Sequence, residues 1–179
     1  LNAWLILLFY FFVNILYSVF NFKNMALVDV YILALGFVLR VMYGSACTGI
    51  EISAWLYLVI FFGSLFMGFG KRKNELARCG NDTRDVLAKY TVNYLGQCLY
   101  SAMTLAIVLY SIWCLEKDTG DTKKYLISIP IFTFILLKYA LDIESDEDGD
   151  PTAVILGDKS LILVCIILLC FLGIIMYIG

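Results

Sequence analysis

The stretch Gly68-Phe69-Gly70-Lys71-Arg72-Lys73-Asn74-Glu75-Leu76 ends an apolar run in a chain that is otherwise close to continuous membrane span. Three consecutive cations are followed by the carboxylate of Glu75, one helical turn after Lys71. Such a group could bind a phosphate-bearing substrate and its metal ion at the membrane surface. It also fits a topology signal, because Lys and Arg at the inner end of a span fix its orientation. The cluster alone therefore leaves the function open.

The composition indicates an integral membrane protein, because 62% of the residues are hydrophobic and only 16% are charged. A transmembrane helix needs about 20 mostly apolar residues. Six stretches approach this length: residues 1 to 20, 26 to 46, 53 to 70, 91 to 115, 125 to 141 and 160 to 179. The fifth is short and is interrupted by Pro130. The apolar runs are continuous rather than alternating, which favours helices over a barrel. We therefore predict one all-α transmembrane domain, a polytopic helix bundle with a loop at residues 71 to 90. The helical spacing of Lys71 and Glu75 predicts that this loop is at least partly helical.

The placement of Lys and Arg orients this bundle. If the turn at residues 21 to 25 is cytoplasmic, the loops 71 to 90 and 142 to 159 are cytoplasmic as well. These segments hold eight cations, against three on the other side. The eight are Lys23, Lys71, Arg72, Lys73, Arg78, Arg84, Lys89 and Lys159, and the three are Lys117, Lys123 and Lys124. By the positive-inside rule, we expect the charged loops and any active face to be cytoplasmic.

Two residue types limit the chemistry. The chain has no His, so a Ser-His-Asp triad, an HExxH zinc site and a His-ligated haem are excluded within it. Its six Cys are scattered and indicate neither a metal site nor a disulfide framework.

The chain begins at Leu1 without an initiating Met, and we expect it to be part of a longer protein. We expect no nucleic-acid partner.

Ionisable residues inside the second predicted span are the next candidates. Asp29 and Arg40 lie near one stripe of the helix with Gly36 and Gly44, and this stripe is expected to line a cavity of the bundle. A charge within hydrocarbon is costly unless it faces protein or water, so we interpret both as functional residues. Their separation of eleven residues is about 16 Å along the axis. We therefore do not expect Asp29 and Arg40 to form a direct ion pair. We expect them to contact different parts of one ligand.

The acidic segment from Asp142 to Pro151 suggests a metal site at first sight. It fails as an EF-hand, because Pro151 and Gly157 occupy positions that need Gly and Glu. Asp142 and Asp146 do have the four-residue spacing of a diphosphate-binding pair on one helix face. A solvated acidic connector explains the run equally well, and we favour the connector.

A set of motifs along the whole chain resembles the UbiA superfamily of membrane prenyltransferases. The matching residues are Tyr17-Ser18, Lys23, Asp29-Val30, the run from Gly36 to Arg40, Gly70-Lys71-Arg72 with Glu75, and Asp150-Pro151-Thr152. Within the superfamily, the chain most resembles the phosphoribosyltransferases that act on polyprenyl phosphate. The resemblance implies a nine-helix fold of which this chain supplies the last six helices. The superfamily's first Asn/Asp-rich, metal-binding motif has no counterpart here, so we expect this chain alone to be inactive.

The resemblance also implies a reaction. The donor would be phosphoribosyl pyrophosphate, the acceptor a polyprenyl phosphate held among membrane lipids, and the cofactor Mg²⁺. Lys71 and Arg72 would grip the donor phosphates and Glu75 would bind magnesium. Asp29 would hold magnesium or ribose hydroxyls. Tyr17, Lys23 and Arg40 are further substrate-binding candidates, and the membrane would be a bacterial plasma membrane.

Two alternatives remain open. One is another UbiA-type enzyme that moves a prenyl group from a prenyl diphosphate to an aromatic or tetrapyrrole acceptor. It would be supported if the missing segment, or Asp142 with Asp146, formed paired diphosphate-magnesium motifs. The other is a non-enzymatic transport or assembly subunit, for which broken helices and an inverted repeat are expected. No repeat relates the two halves of the sequence.

Overall fold

The computed structural model describes residues 3–19, 25–79, 87–117, 124–145 and 151–178, and within these ranges all regular structure is helical. The α-helices are α1 (Ala3–Val19), α2 (Val28–Thr48), α3 (Ala54–Cys79), α4 (Val92–Lys117), α5 (Ser128–Ser145), α6 (Pro151–Gly157) and α7 (Lys159–Ile178). Short 3-10 turns at Leu87–Lys89 and Tyr125–Ile127 precede α4 and α5. The predicted all-α polytopic bundle is confirmed.

Five segments are long and apolar enough to cross a membrane: Val28–Thr48, Ala54–Arg78, Val92–Lys117, Tyr125–Glu144 and Lys159–Met176. They correspond to the last five of the six predicted spans. The described part of α1 is equally apolar but has only 17 residues. Membrane crossing by α1 therefore stays a prediction.

Two helices run past the predicted boundaries. α3 continues to Cys79, so the segment 71 to 90 is helical over residues 71 to 79, in agreement with the prediction that it is at least partly helical. α5 is not broken by Pro130, which lies in the first turn, where the missing N–H of proline would have no partner in the helix anyway. α5 then extends to Ser145, and the short α6 follows at Pro151. The acidic segment predicted as a loop therefore begins inside a helix.

α3 lies at the centre of the packing, with its largest interfaces against α4 and α2. Two of its glycines permit close approach. A Cβ added at Gly68 would lie 2.6 Å from Val30 Cγ1 on α2, and one at Gly70 would lie 2.5 Å from Ile143 Cδ1 on α5. Because such distances are too short for carbon atoms, the glycines let α2 and α5 pack directly on the backbone of α3.

The alternation of the helices brings one set of termini together. The start of α2, the end of α3, the start of α4, the end of α5 and the start of α7 meet at one end of the bundle, which we name the charged end. Ion pairs join α2 to α3 and α5 to α3 there. At the opposite end, Ser53 donates to Glu116 Oε2 at 3.0 Å and links α3 to α4. The two ends therefore have separate polar contacts.

Candidate functional site

Three charged side chains form a buried group at the charged end, which we name the Asp29–Arg72–Glu75 trio. Arg72 donates from Nε to Asp29 Oδ2 at 2.8 Å and from Nη1 to Glu75 Oε2 at 2.6 Å. Asp29 lies in the first turn of α2, and the other two lie one turn apart on α3. The close α2–α3 crossing at Gly68 and Val30, one turn earlier on α3, brings the pair together.

Burying these charged side chains costs free energy unless they are paired with one another. Asp29 is 1% exposed and Arg72 is 7% exposed, whereas a quarter of the Glu75 side chain is accessible. Removing one partner from such a buried pair leaves an uncompensated charge in a low-dielectric interior. The trio contains two carboxyl groups and one guanidinium, so Arg72 is shared between two acidic partners.

One oxygen of the trio remains without a partner. Asp29 Oδ1 is buried and has no hydrogen-bond partner in the part of the chain that the structure describes. A buried oxygen of this kind is normally bonded to protein, water or an ion. Carboxylate oxygens are the ligands that Mg²⁺ prefers, and one or two carboxylates with substrate phosphates and waters are its usual set. Asp29 and Glu75 fit that set, although no cluster of three such ligands occurs among the described residues.

The two residues after Arg72 attach α3 to the end of α5. Lys73 pairs with Glu144 Oε1 at 2.7 Å, and the Tyr100 hydroxyl donates to the same oxygen at 3.1 Å. Asn74 Nδ2, which is buried, donates to the Ile143 carbonyl at 3.0 Å. That carbonyl lies in the last turn of α5, where helix carbonyls lack a partner of their own. Lys73 and Asn74 therefore hold the charged stretch in place.

A further ion cluster joins α5 to α7. Lys138 contacts both Asp142, one turn later, and Asp158, which precedes α7. Asp158 Oδ1 also accepts the N–H and the hydroxyl of Ser160, each at 2.6 Å, as an N-cap does. The Lys138 ammonium, followed by the Ser160 groups, holds the pKa of the Asp158 carboxyl well below its usual range. Asp142 is therefore part of a contact between helices.

An apolar cavity of about 350 Å³ lies between α2, α3, α5, α6 and α7. Its walls include Phe66, Met67, Tyr139, Ile155 and Leu161. Met67 precedes Arg72 by five residues, which is about 7–8 Å along the axis of α3. The cavity and the trio are therefore neighbouring features of the same helix.

The predicted site residues fall into three groups. Asp29, Arg72 and Glu75 come together in the trio, and Lys71 is exposed beside them on α3. Arg40 lies on the α1 side of α2, where it donates to the Tyr10 hydroxyl at 3.0 Å and covers the ring of Phe37. Of the remaining two predicted residues, Tyr17 is half-buried near the end of α1, and Lys23 lies outside the described residues.

Four further residues belong to this region and were not predicted as site residues: Lys73, Glu144, Tyr100 and Tyr90. Lys73 was visible only as one of three cations, and its partner lies 71 residues away. Tyr90 accepts a backbone N–H from Leu27, a contact across 63 residues. Neither contact has a local sequence signal, because each depends on how the helices pack.

Comparisons with known proteins agree with the motifs. No protein-family model matches the chain. The chain is similar to decaprenyl-phosphate phosphoribosyltransferases, with 37% identity over 148 residues to the protein of Corynebacterium glutamicum. Identity is 34% over 154 residues to the protein of Mycolicibacterium smegmatis and 32% over 145 residues to that of Mycobacterium tuberculosis. Each alignment covers 79% of this chain and 45–48% of the relative. The chain thus spans about half the length of the curated relatives it matches.

These relatives confirm the resemblance to polyprenyl-phosphate phosphoribosyltransferases that the motifs indicated. An apolar, all-helical chain also fits a UbiA-like membrane protein.

Proposed function

We propose that this chain forms part of an enzyme that transfers 5-phosphoribose from phosphoribosyl pyrophosphate to a polyprenyl phosphate. The proposal places the reaction at the charged end of the bundle, on the cytoplasmic face of a bacterial plasma membrane. The observation that carries it is the Asp29–Arg72–Glu75 trio with its unpartnered buried oxygen, in a chain whose relatives are named for a transfer of this type. The eight-to-three excess of cations supports the cytoplasmic face.

Each residue of the charged stretch has a separate task in this proposal. Arg72 holds the carboxylates of Asp29 and Glu75 in place with two of its five donors. Asp29 Oδ1 and the accessible side of Glu75 then present negative charge to a cation. Lys71, exposed one residue earlier, contacts the donor phosphates. Mg²⁺, when bound, supplies positive charge where the leaving pyrophosphate becomes more negative.

The phosphate and the apolar tail of the polyprenyl phosphate acceptor would lie in two different environments. Its phosphate would lie beside the trio, and its apolar tail would enter the cavity that includes Phe66 and Met67. A phosphate oxygen of the lipid would form a bond to the anomeric carbon of the ribose, while the bond from that carbon to pyrophosphate breaks. No imidazole is needed for such a displacement, in agreement with a chain that has no His.

The alternatives receive less support. Of the predicted pair Asp142 and Asp146, Asp142 is engaged with Lys138, and Asp146 lies outside the described residues. A transport subunit would favour helices broken near the membrane centre. Each of the five apolar spans that the structure describes runs without such a break.

A radiolabelled-donor assay tests the proposal. The full-length protein that contains this chain should transfer label from phosphoribosyl pyrophosphate to polyprenyl phosphate with magnesium and lose this transfer in a chelator. Residues 1 to 179 alone should be inactive. Transfer of a prenyl group to an aromatic acid, with none of phosphoribose to polyprenyl phosphate, would contradict the proposal and favour the second enzyme class.

A further inference from the structure

The backbone just before α2 has an unusual conformation. Leu27 has φ 66°, and it is the one residue other than glycine with a positive φ in the described ranges. The left-handed region is unfavourable for a branched side chain such as leucine, so other contacts must hold it there. Leu27 is the N-cap residue of α2, and its side chain makes no capping hydrogen bond. Asp29 follows two residues later.

The stabilising contact comes from a distant residue. The Leu27 N–H donates to the hydroxyl oxygen of Tyr90, a bond between the start of α2 and the turn before α4. Tyr90 is itself well fixed, because it is buried, its ring stacks on Tyr94, and its N–H donates to the Leu87 carbonyl at 3.0 Å. Tyr90 is therefore a rigid acceptor for an N–H group at a helix start that would otherwise lack a partner.

The first hydrogen bonds of α2 link this contact to the candidate site. Asp29 N donates to the Met25 carbonyl at 3.3 Å, and Tyr31 N donates to the Leu27 carbonyl at 3.0 Å. A change in the Leu27 backbone would therefore rotate the first turn and move the carboxylate of Asp29 relative to Arg72. The Tyr90 hydroxyl is close enough to this pair to respond to both charges, although burial is the main reason that its pKa is raised.

We propose that Tyr90 is a positioning residue for Asp29: by fixing the left-handed turn at Leu27, it sets where the buried carboxylate meets Arg72 and the cation. The inference rests on the proposed function as far as catalysis is concerned. Its structural part, the dependence of the start of α2 on the Tyr90 hydroxyl, can be measured without any turnover.

The first experiment is amide hydrogen exchange on the full-length protein and its Tyr90→Phe variant, which keeps the ring and loses the acceptor. Peptides covering residues 25 to 31 should exchange about fivefold faster in the variant, the effect expected for loss of a helix cap. Peptides from the middle of α4 should be unchanged. Tyr94→Phe, which removes a hydroxyl from the same stacked pair, should exchange like the wild type.

The second experiment is rescue. Because glycine adopts a positive φ without a steric cost, Leu27→Gly should preserve the turn when the hydroxyl is absent. In the phosphoribose transfer assay, Tyr90→Phe should raise the magnesium concentration for half-maximal rate about tenfold, as loss of an outer support of a metal ligand does. The Leu27→Gly/Tyr90→Phe double variant should return most of the way to the wild-type requirement, whereas a general loss of stability would not be reversed by glycine.

The outcomes separate the two proposals. Unchanged exchange of residues 25 to 31 in Tyr90→Phe, or faster exchange throughout α4, overturns the positioning role whatever the reaction is. An unchanged magnesium requirement in an active Tyr90→Phe enzyme does the same. A wild-type protein that transfers no phosphoribose contradicts the proposed function, while the exchange experiment still decides whether Tyr90 holds the start of α2.

Discussion

Arg72 Nε lies 2.8 Å from Asp29 Oδ2, and this buried pair joins the C-terminal part of α3 to the first turn of α2. The same guanidinium also binds Glu75, so one cation orders two carboxylates. Lys71, the neighbouring cation, is exposed. The two adjacent cations therefore lie in different environments: Arg72 is buried in two ion pairs, and Lys71 is exposed.

The first prediction concerns the stability of this pair. Arg72→Ala should destabilise the protein by about 3–5 kcal/mol, because it leaves the carboxylate of Asp29 buried without its partner. The double variant Asp29→Asn/Arg72→Ala should lose less, since it removes the stranded charge as well. Thermal unfolding in detergent measures both, with Lys71→Ala as an exposed control expected within about 0.5 kcal/mol of wild type. Equal losses for the single and double variants would show that the pair is not a coupled unit.

The second prediction concerns Glu75 as a metal ligand. Glu75→Gln keeps the shape of the side chain and removes its charge, so the transfer rate should fall on the order of 100-fold to 1,000-fold with little change in melting temperature. Asp146→Asn, in the segment we interpret as a connector, should have almost no effect. Turnover across a magnesium titration, at matched expression, checks both. An inactive Asp146→Asn with a normal Glu75→Gln would move the metal site to the acidic segment.

The third prediction uses two glycines of α3 as a matched pair. Gly68→Ala places a methyl group 2.6 Å from Val30 Cγ1, so α2 and α3 must separate, at a cost of about 1–3 kcal/mol. Gly63→Ala meets no atom within 4 Å and should be neutral or slightly stabilising, because alanine favours helix over glycine. Melting temperatures of the two variants test this. Activity of Gly68→Ala should fall as well, since Asp29 moves away from Arg72 with α2.

The fourth prediction is a pH dependence at the Lys138 cluster. The folded protein lowers the pKa of Asp158, so the stabilisation is complete above the usual aspartate pKa of about 3.9 and is lost as the pH falls towards the lower folded value. Asp158→Asn keeps the oxygen that caps α7 and removes the charge. Below about pH 4, the melting temperature of the wild type should therefore fall more steeply than that of the variant. Parallel curves would exclude a role for this ion pair in acid stability.

The fifth prediction concerns topology. Cys79 ends α3 at the charged end, and Cys47 lies near the end of α2 on the opposite side of the bundle. A membrane-impermeant thiol reagent should therefore label Cys79 only from the cytoplasmic side and Cys47, which is exposed, only from the outer side. Single-cysteine variants in sealed vesicles of both orientations distinguish the two. The reverse pattern would contradict the proposed cytoplasmic face.

Much of the fold could be predicted because apolar runs of span length have few other solutions in a membrane. The boundaries near charge were less predictable. Hydropathy ends the third span at residue 70, but the helix persists to Cys79, since Arg72 and Asn74 find buried partners on α2 and α5. Pro130 was interpreted as a break because its position within the helix was unknown. Because Pro130 lies in the first turn of α5, it removes no hydrogen bond from the helix.

The site was predictable to the extent that it is local. The spacing of Lys71 and Glu75 placed Glu75 one helical turn after the cation cluster that includes Arg72, and Asp29 is an ionisable residue within a predicted span. Their meeting could not be derived, because 43 residues separate Asp29 from Arg72 and the contact depends on Gly68 packing against Val30. The link from Tyr90 to Leu27 was still less accessible, since nothing in the sequence marks a leucine that adopts a glycine-like backbone angle.

The three consecutive residues Arg72, Lys73 and Asn74 each reach a partner on a neighbouring helix, α2 for the first and α5 for the other two. Successive side chains of a helix point about 100° apart, so these three contacts depend on the helical register of residues 72 to 74. Deleting one residue between Gly63 and Arg72 would turn all three side chains away from their partners at once, and it would move Gly68 or Gly70 off the crossing points. This part of α3 can thus accept single substitutions of graded cost, but it has no freedom of length.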